Sequence, residues 1–420
     1  MKKVHFLAVI ILLFHSACEK ETLTYTETQQ YVDNETTADF TGAQTVMPGQ
    51  VVIKYDPLLT EIEKQAIRDQ YGVENYKNCS CADPTLELWI FEVDANGDTP
   101  SGLSIEGVVE SSKDNSGVEG SEINPVIKHN GYKLSAPFGT DHITTAIDLM
   151  SPANNGVTIA VLDTGIDYNY FKFEEPFLYN SDASGTACND NGMTDYFGWD
   201  FVQQDNNPFD EHGHATQVIS MIYEKLDEQN IDFQVLPVKV FDGNGDGAYF
   251  DILCGFKYAA NNEDVKLINM SFGWYNTHYS LLERFMEETW DKKVILTSAG
   301  NLSSDNDTTP HYPSSYDEEN LLSIASWNGS FTEVGLSRFS NYGVNSVDLA
   351  APGENIPFYL TPNDFILLHG TSYASAFTTG VAAGLYVPGM SPNEHITTII
   401  SNSIPDNNLQ NIKYHSYIYY

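Results

Sequence analysis

Two periods of apolar residues alternate along this chain, and a change in their pattern divides it. After Pro48 the β-branched run Gly49-Gln50-Val51-Val52-Ile53-Lys54-Tyr55 predicts a strand. Leu59, Ile62 and Ile67 then recur at helical spacing up to Tyr71, and Leu86-Glu87-Leu88-Trp89-Ile90-Phe91 alternates like a second strand. A polar Gly/Asp/Ser stretch at 94–104 separates these from further elements near Ile105–Ser111 and Val118–Ile127. From about residue 135 the strands change character. Val157–Leu162, Val235–Phe241, Leu267–Met270, Val294–Ser298, Leu322–Ala325 and Val347–Ala350 are near-continuous apolar runs, as parallel strands covered on both faces require. Helical patterns lie between them at Ala215–Leu226, Phe250–Asn261 and Leu281–Asp291, and a small-residue helix follows at Ala374–Leu385. The order predicts an α/β fold with a mostly parallel sheet, preceded by a small β-α-β…α-β unit.

The N-terminus adds an address. Lys2-Lys3 followed by the apolar run Phe6–Phe14 is too short to span a bilayer and reads as a secretory signal over residues 1–18. Ser16-Ala17-Cys18 resembles a bacterial lipobox, which would make Cys18 a lipid attachment site, although His15 stands where an aliphatic residue is usual. The other reading is an ordinary signal peptide with an incidental cysteine. Residues 19–46, polar and rich in Thr and Glu, read as a flexible tether. Cys79, Cys81, Cys188 and Cys254 remain, with three possible pairings that the sequence leaves open. With 20 basic against 58 acidic residues, the net charge of -38 repels phosphate backbones and excludes nucleic acid as a partner. No repeat or coiled coil is visible.

Candidate chemistry sits at the ends of the predicted strands. Asp163 follows the buried run Val157–Leu162, where α/β sheets place ligands. Glu211-His212-Gly213-His214-Ala215-Thr216-Gln217-Val218 offers two histidines, and Gly370-Thr371-Ser372-Tyr373-Ala374-Ser375 sets a serine among small residues. Asp, then His, then Ser is one of the known chain orders of the Ser-His-Asp hydrolytic geometry.

Together with Ser298-Ala299-Gly300-Asn301, Pro237-Val238-Lys239-Val240, Ile268-Asn269-Met270-Ser271-Phe272-Gly273, Phe339-Ser340-Asn341-Tyr342-Gly343 and Ala350-Ala351-Pro352-Gly353, these motifs resemble the subtilases, the subtilisin-like serine proteases. The resemblance covers residues 135–420, and residues 47–130 are similar to the inhibitory pro-domain of such enzymes. It implies a three-layer subtilisin-like fold and a serine endopeptidase made as a zymogen. The family pattern His-Gly-Thr-His-Val-Ala-Gly fits best when started at His214, which preserves Thr216 and Val218. His214 then becomes the base, and His212 a surface residue or a neighbour of the site. Ala215 and Gln217 depart from the family's glycine and second histidine, and Tyr373 and Ala376 are unusual around the serine. The resemblance further implies Ser372 as nucleophile, Asp163 as the group orienting His214, and Asn301 as oxyanion donor. Ser271, Phe272 and Gly273 would bind the substrate backbone, with Trp274 reshaping the specificity pocket in place of a glycine.

The implied partners are an extended polypeptide substrate, the chain's own pro-domain, and a membrane only through the lipid. The chemistry needs no cofactor. Asp200, Asp205 and Asn207 resemble a structural calcium site of thermitase-like members. The loop Asp242–Gly247 matches half of an EF-hand, but residue 253, where the bidentate glutamate belongs, is Leu. The rival expectation is a non-catalytic envelope lipoprotein that binds peptides on a protease fold.

Overall fold

The computed structural model describes residues 44–79, 81–152, 156–185, 189–190 and 192–419. The signal, Cys18, most of the tether and Cys188 lie outside the described residues.

The first body is built from β1 (Val46–Tyr55), α1 (Glu61–Tyr71), β2 (Asn75–Cys79), β3 (Asp83–Ile90), α2 (Ile105–Lys113) and β4 (Val118–Lys128). Alternation in β1 decides its two faces. Val51, Ile53 and Tyr55 join Ile67, Tyr71, Trp89, Ile105 and Val108 in a core under the two helices. Val52, with Leu86, Leu88 and Ile127, faces the other way into the core of the larger body. α1 starts on a capping box, Thr60 with Glu63, and ends at Gly72 in the left-handed conformation. The strand β2 carries exposed polar residues and borders the sheet, which is why its hydrophobic pattern is mute.

The larger body holds β5 (Val157–Asp163), β6 (Trp199–Asp200), α3 (His214–Asp227), β7 (Phe233–Lys239), β8 (Asp246–Ala248), α4 (Tyr249–Asn261), β9 (Val265–Met270), β10 (Val294–Ser298), β11 (Leu321–Trp327), β12 (Leu349–Pro352), α5 (Thr371–Leu385), β13 (Ile404–Pro405) and β14 (Ser416–Tyr417). Among the described residues its main sheet has nine strands in the order β13-β14-β12-β11-β10-β9-β5-β7-β6. Every pairing is parallel except β13 with β14. The expected Leu281–Asp291 helix is shorter, Ser280–Glu287. No described helix is long and apolar enough to cross a membrane.

The two bodies join through β4. It continues the first sheet onto β8 in antiparallel register, with Ala248 opposite Val126 and Asp246 opposite Lys128. From β4, Asn124 Oδ1 accepts the N–H of Phe250 at the start of α4 (2.9 Å). Glu122 Oε1 accepts the N–H groups of Ser280 (2.6 Å) and Leu281 (3.3 Å). Orphan donors of two helices are thereby satisfied by one strand. Lys77 pairs with Asp251 at 2.9 Å and Arg284 with Glu119 at 2.6 Å. Burial raises the Asp251 carboxyl to about 6 against the pull of Lys77.

A disulfide also crosses this boundary: Cys79 of β2 is bonded to Cys254 of α4, 175 residues away. A cut anywhere between residues 128 and 135 therefore leaves both parts covalently joined. Protein nicked there is expected to run as one species on a non-reducing gel and as two after reduction. In a variant carrying both Cys79→Ser and Cys81→Ser the two should separate without reductant, and full separation of nicked wild-type protein on a non-reducing gel would contradict the bridge.

Candidate active site

Asp163 is the last residue of β5 and is completely buried. Its carboxylate meets His214 Nδ1 at 2.9 and 3.0 Å and accepts the N–H of Thr164 at 2.7 Å. Burial opposes the charge, but the imidazoles of His214 and His129 outweigh it and hold the carboxyl well below its ordinary range. Because Nδ1 faces the carboxylate, Nε2 of His214 is left as the acceptor. That atom is buried and has no hydrogen-bond partner.

His214 opens α3, and its position is fixed by a cap that the sequence pattern half reveals. The preceding Gly213 has φ 96°, and a methyl group there would stand 2.5 Å from Leu134 Cγ. Asp210 Oδ1 accepts the N–H groups of His212 and Gly213 (3.0 and 2.6 Å), while Oδ2 accepts the N–H and the hydroxyl of Thr216 (2.9 and 2.7 Å). Thr164 hydroxyl donates to Asp210 (2.8 Å) and accepts from Ala215 N–H (3.0 Å), so the strand carrying Asp163 and the helix carrying His214 share one clamp. His212 is buried, 5.8 Å from His129 between ring centroids, and burial with the neighbouring imidazoles lowers it to about 3.

Ser372 lies in the first turn of α5 and is nearly buried. Its hydroxyl donates to the Ser271 carbonyl at 3.0 Å, and Ser271 Oγ donates back to the Ser372 carbonyl at 3.0 Å. Asn269 anchors this contact: it donates to Ser271 Oγ (2.9 Å) and accepts from Ser375 (2.9 Å) and Thr379 (3.0 Å). A lone amide inside the apolar strand β9 was the signal for that role. Asn301 Oδ1 accepts both the N–H and the hydroxyl of Thr371 (2.8 and 2.9 Å). Pinning the oxygen turns Nδ2 toward Gly370, beside the serine, as an oxyanion donor requires.

Gln217 and Tyr373, two departures from the family pattern, meet each other. The Tyr373 hydroxyl donates to Gln217 Oε1 at 2.6 Å, and Gln217 Nε2 donates to the Tyr132 carbonyl at 3.0 Å. Phe272 packs edge-on against Phe241 at 4.8 Å. Trp274 is buried among Tyr249, Tyr279 and Tyr312, with Nε1 donating to the Thr277 carbonyl at 2.8 Å. The group standing against Gly273 is His311.

Sequence reasoning missed the residues that follow β4. His129 donates its N–H to the Gly245 carbonyl at 2.6 Å. Its ring lies 4.0 Å from that of His214, and Nε2 is 3.5 Å from Asp163 Oδ1. Burial, then the His214 charge, lowers its pKa. Gly131 runs against the imidazole so closely that a methyl group there would stand 2.0 Å from His214 Cδ2. His129, Asp163 and His214 bring donor atoms within 4.8 Å of one another, but Asp163 and His214 are already engaged as a hydrogen-bonded pair.

Asp200 ends β6, and Asp205 and Asn207 lie in the loop that follows. Asp200 Oδ1 accepts the N–H groups of Val202 and Gln203 (2.7 and 2.9 Å), and Asp205 Oδ1 accepts that of Asn207 (2.9 Å). Asn207 Oδ1 is buried without a partner. In the Asp242–Gly247 loop, Asp242 Oδ1 instead accepts the N–H groups of Asn244 and Asp246 (2.7 and 2.9 Å), shaping the turn into β8.

Comparison with known proteins finds the subtilase family over residues 154–416. A thermophilic serine proteinase of Bacillus sp. (strain AK1) is 30% identical over 301 residues, 68% of this chain and 67% of the relative. Thermitase of Thermoactinomyces vulgaris is 29% identical, over 65% of this chain and 89% of its own. The solved structure of a cold-adapted subtilisin-like serine proteinase superposes with TM-score 0.50 at 21% identity, covering 68% of this chain and 98% of that one.

The Gln217–Tyr373 pair makes its own prediction. Tyr373→Phe removes the hydroxyl that donates to a buried amide oxygen and should lower stability by about 1–3 kcal/mol. In a double-mutant cycle with Gln217→Leu the two losses should be less than additive, and strict additivity would show that the contact contributes nothing.

Proposed function

Because this chain belongs to the subtilase family, we propose that Ser372, His214 and Asp163 form its hydrolytic triad, with Asn301 as oxyanion donor, and that it is made as a zymogen. The chain is a subtilisin-like serine protease. In this reading the Ser372 hydroxyl turns from the Ser271 carbonyl to His214 Nε2, which takes its proton as Oγ attacks a peptide carbonyl. Asn301 Nδ2 and the Ser372 N–H bind the developing oxyanion. His214 then protonates the leaving amine, and Asp163 keeps the ring in the required tautomer while stabilising the imidazolium. Water resolves the acyl-enzyme through the same groups. The observation that carries this reading is the buried Asp163–His214 pair, whose outward nitrogen has no partner and is covered by Gly131.

Residues 47–130 act as the inhibitor. Their last strand extends along β8, and the following segment, through His129 and Gly131, lies on the base that substrate must reach. The cut that matures the enzyme falls between residues 127 and 135. Cys18 carries a lipid that holds the exported enzyme at the cell envelope, with residues 19–46 as the tether. Expressed wild-type protein is expected to be shortened at the 127–135 junction and, once reduction has released the inhibitor, to react with a fluorophosphonate. Ser372→Ala should remain full-length and unlabelled in reducing mass analysis, and a processed Ser372→Ala chain made without other proteases would refute self-cleavage.

Calcium fits the Asp200 loop. Two carboxylates and an amide oxygen are hard donors of the kind calcium takes, and Asn207 Oδ1 is buried without a hydrogen-bond partner. Asp200, Asp205 and Asn207 would hold the ion, which serves the loop and not the chemistry. Adding EGTA should lower the melting temperature by several degrees, on the order of the 2–4 °C that about 1 kcal/mol produces in a domain of this size. Calcium, not magnesium, should restore it, and Asn207→Ala should abolish the response. An unchanged melting temperature in EGTA would remove calcium from the account.

A further inference from the structure

The chain crosses the proposed base between two fixed points. On the near side the β4–β8 ladder runs one residue past the strands: Lys128 lies opposite Asp246, and the His129 N–H donates to the Gly245 carbonyl (2.6 Å). On the far side Gln217 Nε2 donates to the Tyr132 carbonyl (3.0 Å) and the Leu134 N–H to the His212 carbonyl (2.9 Å), while the Lys133 ammonium donates to the Gly243 carbonyl. Only Asn130 and Gly131 lie between. Gly131 is the residue on the imidazole: a methyl group there would stand 2.0 Å from His214 Cδ2 and 2.6 Å from Nε2. The Gly131 nitrogen is one bond away from the carbon that makes this contact.

Two side chains hold this crossing from its two ends. His129 reaches back over its own chain, and its Nδ1 accepts the Gly131 N–H at 3.0 Å. The ring proton is therefore on Nε2, which faces Asp163 Oδ1 at 3.5 Å. Asn130, between them, is left exposed. At the other end the Tyr132 carbonyl can only accept, so Gln217 must present Nε2 to it and Oε1 to the Tyr373 hydroxyl (2.6 Å). Tyr373 thus locks the amide in the orientation that grips a main-chain oxygen. Because the contact is to the main chain, it does not depend on which side chain residue 132 carries.

We propose that Asn130–Gly131 is the bond this enzyme cuts in itself, and that Gln217 is the positioning residue that holds the chain beyond the cut. The proposal rests on the serine-protease reading of Ser372 and narrows the 127–135 junction to one bond. Ser372 Oγ bonds to the Asn130 carbonyl carbon, the bond from that carbon to the Gly131 nitrogen breaks, and His214 Nε2 passes the serine proton to that nitrogen. Water then hydrolyses the Asn130 ester, which leaves a carboxylate on Asn130 and restores the serine hydroxyl. The substrate class that fits the same frame is a polypeptide with glycine directly after the cut, since any larger residue there meets the base.

The test follows self-cutting of the full chain, as wild type and as Gln217→Met, which keeps the side-chain length but not the donor, during refolding under oxidising conditions. Each sample is then reduced, its mass measured, labelled with a fluorophosphonate, and assayed on the p-nitroanilide of residues 124–130. That substrate has no carbonyl beyond the cut for Gln217 to hold. The catalytic part of wild type should begin at Gly131. Relative to wild type, the self-cutting rate of Gln217→Met should fall at least about tenfold further than its kcat/KM on the anilide, the scale of one lost hydrogen bond to a held group. Equal falls in both rates would show a merely structural Gln217 and overturn its role. A labelled wild-type enzyme that begins at any other residue overturns the choice of bond, even if the variant does not fold. Wild type that labels after reduction yet is never cut overturns both parts. Absence of labelling and of all cleavage would instead refute the role of Ser372.

Discussion

A carboxylate with no exposure to water governs the architecture around the site. Moving such a charge out of solvent costs several kcal/mol unless close partners compensate it. Asp163 has them only because β5 ends where α3 begins. The Thr164–Asp210 clamp ties those two ends together, so the strand end, the helix start and the imidazole orientation are one solution to one electrostatic demand. Loosening any part would strand a buried charge. The same demand explains why His129 settles beside Asp163: its Nε2 has no other hydrogen-bond partner.

What could be read from the chain follows the range of the interactions. The parallel strands were legible because burial on both faces leaves continuous apolar runs, and the order of Asp163, His214, Asn301 and Ser372 was legible because each sits in a short local phrase. The choice of His214 over His212 also came from local spacing, and in the structure His214 is the histidine joined to Asp163. Contacts made across long stretches of chain were not legible. Nothing near His129 or Gly131 announces that this segment crosses His214, and the Cys79–Cys254 bridge was one of three pairings the sequence left open. Trp274 drew attention as a large residue near a pocket, yet its ring lies in the aromatic cluster with Tyr249 and Tyr279, and the imidazole from residue 311 stands at Gly273.

Departures from a family pattern are informative when they occur together. Gln217 and Tyr373 looked like separate irregularities on two helices. In the folded chain they are hydrogen-bonded to each other and, through Gln217, to the Tyr132 carbonyl just beyond the segment covering His214. A residue swap on α3 is thus matched by one on α5, at the contact between the helix that begins with His214 and the helix that carries Ser372.

If residues 47–130 act as the proposed inhibitor, the bridge between Cys79 and Cys254 changes what inhibition means for this enzyme. An inhibitor joined only by affinity can be diluted away once its peptide link is cut. One joined covalently rebinds as an intramolecular event, at an effective concentration on the order of millimolar for a short tether. Its return to the cleft is then independent of how much enzyme is present. Under that proposal, lasting activity would require that the inhibitor be destroyed in place or its sulfur link reduced, so the oxidation state of the surroundings would set how long a cut enzyme remains closed.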